Sequence, residues 1–392
     1  MRRLRKLVPN KSHHRKQESE NGVKVTFLQQ FALEVKGTKL VLHENVLAVL
    51  SEEPLNTVSS AFYHGGGVKK TCAILNVEVP KGYNEHNLHT DPAALIVASS
   101  KKLDFKGDFI GMVTAACVQN FALASKREDG VGVSVIATAA DNEGNTCNYS
   151  ESSGEEIKTK VIEGTINIIV VIDGHPTESC LVSSIITATE AKTAAMLELD
   201  IRSRYSGDAA TGTITDAIVA AETGRGDLIV YGGPASKLGQ LVGFCTRKAV
   251  KEAIMKGQEC SPCRSLLDRL EARHLSVEKL AAELSKVKSL KTDKQKLAFA
   301  LSKMLLDDPV FASALLAAVK LNEDFEKGIL PPQFSDLSAI GKGFGALLSK
   351  HNCAGVRIET ADAEEVNLPP FLKFALIELA RNALSDKENS KP

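Results

Sequence analysis

Between residues 164 and 218 the alternation of apolar and polar positions changes rhythm three times, and the rest of the chain is organised around that stretch. Thr165 to Ile172 carries Ile or Val at nearly every position. Such a run predicts a strand buried on both faces. Asp173 to Pro176 then breaks the strand, and Pro176, with φ already fixed and no N–H to satisfy, is expected in the first turn of a helix. From Thr177 to Leu199 the apolar residues Leu181, Ile185, Ile186, Met196 and Leu197 recur at helical spacing, and Glu178 sits where the helix dipole favours a negative charge. Thr187, Thr189, Glu190, Lys192 and Thr193 crowd the middle of that helix, and a loop of small and hydroxyl residues follows from Ser203 to Thr215. Packing alone does not require them. They read either as a solvated helix face with a plain loop or as the lining of a site.

The flanking pattern alternates between strands and helices without a regular order. Val23 to Leu50 gives short strands joined by tight turns, and Cys72 to Pro80, Phe109 to Val118 and Val131 to Ala139 give further strands, with Phe121 to Ala124 between the last two. A helix is expected from Pro92 to Leu103, a loop from Asp141 to Glu155, strands at Asp216–Ala221 and Leu228–Tyr231, and a helix from Ser236 to Met255. This irregular mixture predicts an α+β domain with a mixed sheet over residues 23–256. Gly257 to Pro262 marks a boundary, with a linker over 257–264. Beyond it Leu and Ala dominate, and helices are expected at Leu266–Leu284, Gln295–Leu306, Val310–Leu321, Ile340–Lys350 and Phe371–Leu384, with Ser276 as a cap. The second domain, residues 265–386, is therefore expected to be small and all-α. Residues 1–22 and 387–392 read as disordered tails, the first made basic by Arg2, Arg3, Arg5, Lys6, Lys11, Arg15 and Lys16.

Composition narrows the function classes. Lys and Arg together number 48, as do Asp and Glu, so no global field draws in nucleic acid or acidic lipid. The chain has no Trp and only 5 Tyr, too little for a broad base-stacking surface. No uncharged apolar run reaches about 18 residues, so no membrane span is expected. Cys72, Cys117, Cys180 and Cys245 lie scattered in apolar segments, as reduced thiols of a cytoplasmic protein do.

Three short motifs invite chemistry and carry little of it. His64-Gly65-Gly66-Gly67 is followed by no Lys-Ser/Thr at P-loop spacing. His86-x-x-His89-x-Asp91 groups three ligand types without an identifiable fourth, and Cys260-x-x-Cys263 lacks a second ligand pair. No metal site is expected.

The strings GTINIIVVIDGHPTESCLVSSIITATEAKTAA, RYSGDAATGTITDAIVAAETGRG and YGGPASKLGQLVG strongly resemble the adenosylcobinamide amidohydrolase family of corrinoid salvage. The resemblance runs from about Val46 to Ile254. It implies hydrolysis of a linear carboxamide, the bond joining aminopropanol to a corrin side chain, leaving adenosylcobyric acid. Such a reaction needs an attacking oxygen, oxyanion donors and an acid for the leaving amine. On this resemblance Glu178 and Glu190 are candidate bases, Thr213 and Thr215 candidate hydroxyls, Lys192 a cation and Asp216 an orienting group. His64, Gly65, Gly66, Asn76, Asp208, Thr211 and Gly212 are candidates for holding the substrate. Where the family carries Asn before its glycines this chain has His64, whereas Asn76 matches the family's Leu-Asn element. Glu190 and Lys192 lie about 200° apart on a helix, and Glu178 lies roughly three turns from Glu190, so the two carboxylates cannot act as a pair on a continuous helix. A carboxylate-activated water is the expected attacking group, with a Thr nucleophile as the alternative. No cofactor is required, because cobalt arrives with the substrate. A homo-oligomer stays open.

The segments LEARHLSVEKLAAEL, LLAAVKLNEDFEKGILPP and LPPFLKFALIELARNAL resemble, more faintly, the α-ribazole phosphatase and phosphatidylglycerophosphatase A group. In that group an acidic pair follows Phe-Leu in the last helix, where two carboxylates can hold Mg²⁺. Here Phe371-Leu372 is followed by Lys373-Phe374, which implies a degenerate, non-catalytic domain. Besides amide hydrolysis of adenosylcobinamide, the resemblance leaves open a complete corrinoid such as pseudocobalamin as substrate, and a corrinoid-binding or regulatory protein without turnover.

Overall fold

The computed structural model describes residues 28–80, 83, 91–140, 164–257, 264–287, 293–331, 366–369, 371–373 and 375–377. The basic tail, His86, His89, the loop at 141–155, the Cys260-x-x-Cys263 motif, the helix expected at 340–350, Phe374 and the residues after 377 lie outside them. The chain forms two compact units, residues 1–262 and 263–392.

The first unit is α+β. Its strands are β1 (Gln29–Ala32), β2 (Thr38–His43), β3 (Val46–Ser59), β4 (Gly66–Glu78), β5 (Phe109–Thr114), β6 (Ala122–Glu128), β7 (Val131–Ala139), β8 (Ile166–Asp173), β9 (His175–Pro176), β10 (Ala217–Glu222) and β11 (Leu228–Ile229). Among the described residues three α-helices accompany them, α1 (Pro92–Ser100), α2 (Glu178–Glu198) and α3 (Lys237–Gly257), with a 3-10 turn at Val118–Asn120. The main sheet runs β1-β2-β3-β10-β8-β7-β6, with β4 paired to β3 and β5 to β4. It is mixed, since β10 pairs parallel with β8 and β5 parallel with β4 while the remaining pairs are antiparallel.

The period of two along β8 divides the core. Ile166, Ile168, Val170 and Ile172 join one cluster with Leu181 and Ala188 of α2 and Leu241 and Val250 of α3. Ile169 and Val171 point the other way, into a second cluster with Ile74, Ile110 and Met112 of β4 and β5. A third cluster covers the far side of β4 with Ile96 of α1. A strand apolar at nearly every position is thus what a layer buried on both faces requires.

Several boundaries differ from expectation for local reasons. Pro176 is not in the first turn of α2. It lies in β9, which pairs parallel with β11, and Thr177 is the cap, its side chain accepting from Cys180 N. The missing N–H of Pro176 is tolerated because the neighbouring Thr177 N–H donates to Ile229 O at 2.9 Å. The strand expected to end at Leu50 continues to Ser59 through an irregularity between Leu50 and Leu55, where the exposed Glu52, Glu53 and Pro54 broke the sequence pattern. Gly66 and Gly67 begin β4, so the turn before it is shorter than three glycines suggest.

In the second unit every element among the described residues is helical: α4 (Leu266–Glu271), α5 (Val277–Leu284), α6 (Lys294–Asp307), α7 (Pro309–Glu326) and the helical residues 371–373 and 375–377. The single helix expected over Leu266–Leu284 is two. His274 turns the chain at φ 58° and Ser276 caps α5, accepting from Lys279 N. Leu270, Leu280, Leu297, Phe311, Leu315 and Leu376 share one core. No described helix is long and apolar enough to cross a membrane.

Candidate active site

The candidate residues divide between the two ends of the sheet and the outer face of α2. At the end where β8 and β10 begin, the loop before β10 folds Asp216 inward. Its carboxylate pairs with Lys192 Nζ of α2, and the two side chains keep only 12% and 8% of their exposure. Thr213 donates its hydroxyl to Asp216 Oδ1 and its backbone N–H to Oδ2 at 3.1 Å. Ile166 N, at the head of β8, donates to Oδ1 at 2.9 Å. Three neutral donors and a cation therefore converge on one carboxylate. A buried charge survives only with such compensation.

The neighbouring loop residues are fixed as well. Gly212 lies against the ion pair, and Thr193 of α2 donates its hydroxyl to Thr211 O at 3.0 Å. The Thr215 hydroxyl is not directed at Asp216 but shares a hydrogen bond of 2.7 Å with Thr165. Asp208 is exposed, and its carbonyl accepts from Ser203 N at 2.8 Å. The structure thus brings Lys192, Gly212, Thr213 and Asp216 together and holds Thr211 and Thr215 beside them.

Glu178 and Glu190 are elsewhere. Glu178 is exposed at the start of α2, about 20 Å of helix away from Lys192. Glu190 is exposed on the outer face, where it lines a groove of 1020 Å³ with Ala194, Phe244 and Arg247. The 200° between Glu190 and Lys192 separates solvent from core, and α2 is continuous, so the two carboxylates do not meet.

The His64–Gly66 turn stands at the same end of the sheet as Asp216, because Ser60 and Ile218 exchange hydrogen bonds of 3.0 Å. His64 is exposed at φ 56° and its ring stacks on Tyr63 at 4.0 Å between centroids. A side chain on Gly65 would run into the carbonyl of Ala61. Lys69 Nζ donates to the carbonyls of His64 and Gly65, which leaves the exposed ring of His64 as the part of the turn presented outward.

Asn76 is not at the surface. It is 2% exposed between the sheet layers, donating to Thr138 Oγ1 and accepting from Asn167, both at 2.8 Å. Thr165 and Asn167 were not singled out from the sequence. Asn167 had a signal, as the one polar side chain inside the run from Ile166 to Ile172.

The opposite end of β8 and β10 carries buried carboxylates with their own partners. Asp173 pairs with Arg127 and Arg225 and accepts from Thr223, and Glu222 accepts from Asn56 and Gly224 N. Among the described residues no three His, Cys, Asp or Glu come together as metal ligands. Burial raises the thiols of Cys180 and Cys245, the latter to about 11.

A family profile described as adenosylcobinamide amidohydrolase matches residues 32–262. An adenosylcobinamide amidohydrolase of Methanosarcina mazei is 30% identical over 197 residues, which are 49% of this chain and 83% of that protein. The uncharacterized protein MJ1613 of Methanocaldococcus jannaschii is 32% identical over 166 residues, 38% of this chain; the match spans 64% of that protein's length. Among solved structures, the PH0078 protein from Pyrococcus horikoshii OT3 aligns over 60% of this chain and 84% of its own at 16% identity, with a TM-score of 0.29.

Proposed function

The chain belongs to the adenosylcobinamide amidohydrolase family, and from that premise we propose that it hydrolyses the amide joining aminopropanol to the corrin ring of adenosylcobinamide, releasing adenosylcobyric acid for cobalamin salvage. The observation that carries this reading is the Thr213 hydroxyl donating to Asp216 beside Lys192. An alcohol becomes a useful nucleophile when an adjacent group takes its proton. Thr213 Oγ1 attacks the amide carbon as its proton passes to Asp216. The tetrahedral adduct collapses, the C–N bond breaks, and the amine leaves with that proton. Water then cleaves the Thr213 ester and restores the hydroxyl. As Asp216 is neutralised, the Lys192 cation beside it offsets the negative charge that develops on the amide oxygen of the tetrahedral adduct.

This mechanism prefers Thr213 to a water activated by Glu178 or Glu190, because neither glutamate reaches the buried cluster. His64, Gly65 and Gly66 are assigned to the corrin periphery, at the same end of the sheet. Cobalt enters with the substrate, and the protein is assigned no cofactor. Free thiols at Cys72, Cys117, Cys180 and Cys245 accord with a reducing, cytoplasmic setting.

The test is incubation with adenosylcobinamide, with both products followed by chromatography and mass. Wild type is expected to release aminopropanol and adenosylcobyric acid, Thr213→Ala to release neither at unchanged corrinoid binding, and acid-quenched enzyme to carry a corrinoid ester on Thr213. Tight binding without product from wild type would overturn the hydrolase and leave a corrinoid-binding protein.

A further inference from the structure

Asn167 is an amide inside a layer that is otherwise Ile and Val. It is 1% exposed and occupies the β8 face that turns towards β4 and β5, where Ile169 and Val171 are its same-face successors. An unsatisfied amide there would cost about 1–3 kcal/mol. Asn167 is instead saturated with specific partners. Nδ2 donates to Asn76 Oδ1 and to Val113 O, each at 2.8 Å, and Oδ1 accepts from Ala217 N at 3.1 Å. Asn76 in turn donates to Thr138 Oγ1 on β7. A single side chain thus ties β4, β5 and β8 to the first residue of β10.

The last of these bonds bears on the chemistry. Ala217 directly follows Asp216, and Ile166, whose N–H holds Asp216 Oδ1, directly precedes Asn167. The Asp216 carboxylate is therefore gripped by the backbone on one side of Asn167, while the backbone leaving Asp216 is gripped by Asn167 itself. We infer that Asn167, braced by Asn76, is a positioning residue that sets where β10 begins and thereby fixes Asp216 against Thr213. Asn76, assigned from the sequence to the substrate, is 2% exposed and acts here through Asn167. A residue that served only the core would be filled by Val or Ile at no cost in hydrogen bonds.

The inference rests on the Thr213–Asp216 reading for its catalytic consequence, and two readouts separate the two. The first is kcat and KM for adenosylcobinamide in wild type, Asn167→Ala and Asn76→Ala. A misplaced catalytic group is expected to lower kcat about 10- to 100-fold with KM little changed. The second is amide hydrogen exchange by mass, comparing residues 211–217 with residues 168–172. Faster exchange confined to 211–217 reports a loosened loop over an intact strand. Both effects together support the positioning role. Unchanged kcat, or exchange that rises equally in both segments, overturns it. If wild type makes no product, the hydrolase reading fails, and exchange at 211–217 alone still decides whether Asn167 places Asp216. Should Asn167→Ala not fold, Asn76→Ala, which leaves the Ala217 bond in place but unbraced, carries the same two readouts.

Discussion

Gly212 leaves no room for a side chain beside Asp216: a Cβ built on it would lie 2.6 Å from Asp216 Oδ2 and 2.7 Å from Lys192 Nζ. Neither atom can retreat without loosening the ion pair, because Thr213 and Ile166 hold the carboxylate from the other directions. Gly212→Ala is therefore expected to cost about 1–3 kcal/mol by overpacking. It should also lower turnover much more than it lowers corrinoid affinity. Thermal melting beside a product assay checks both, and full activity at an unchanged melting point would contradict the packing.

The Lys192–Asp216 pair should show strong coupling. Removing one partner of a buried pair strands the other charge and costs about 3–5 kcal/mol, whereas removing both costs less than the sum. Lys192→Met and Asp216→Asn are expected to destabilise singly, and the double variant to recover part of the loss. Urea unfolding of the four proteins measures this. Additive losses would mean that the pair is hydrated in solution.

How much of this was legible in the sequence follows from the range of each interaction. β8 and α2 could be read within one or two residues because apolar runs and helical spacing are local signals. The division into a mixed α+β unit and helices beyond it was legible for the same reason. The placement of Pro176 was not, since pairing with Leu228 and Ile229 is decided some fifty residues away. At the site, the sequence offered two glutamates and two threonines on equal terms. Only the folded chain separates Thr213, bonded to Asp216, from Thr215, bonded to Thr165, and Lys192 in the core from Glu190 in solvent.

That separation makes Thr213 and Thr215 a controlled comparison. Thr215→Ala removes one hydrogen bond to Thr165, expected to cost about 0.5–1.5 kcal/mol, with turnover within a few-fold of wild type. Thr213→Ser keeps a hydroxyl on Asp216 and should retain turnover, while Thr213→Val should abolish it. Equal losses at positions 213 and 215 in the product assay would remove the case for Thr213 as nucleophile.

Glu178→Gln and Glu190→Gln test the water mechanism directly. Both side chains are exposed and lie off the buried cluster, so each variant is expected to keep kcat within a few-fold. Loss of turnover in Glu190→Gln at normal affinity would instead make that glutamate the base and Thr213 a spectator. The pH profile of kcat in the same variants is a second check, since a true base leaves its titration limb missing when it is replaced by an amide.

The thiols give a prediction free of any mechanism. Cys245 is wholly buried on the inner face of α3, and desolvation raises it from 9.0 to about 11 against the opposing charges of Lys248 and Lys126. Cys180, buried in the first turn of α2, is raised for the same reason. In the unfolded chain these thiols ionise first, so between pH 9 and about 11 the folded state binds more protons than the unfolded one. Stability contributed by the neutral thiols is thus full below pH 9 and is lost as pH rises through that window. Unfolding free energy is expected to fall across it, and to fall less in Cys245→Ala once that variant's lower baseline is subtracted. Exposed Cys117 should react with a thiol reagent at pH 8 while Cys245 resists until the protein unfolds. Equal labelling of the two in the native protein would mean that the layer between the sheet and α3 opens readily, and that the core around β8 does not hold the site as rigidly as its packing implies.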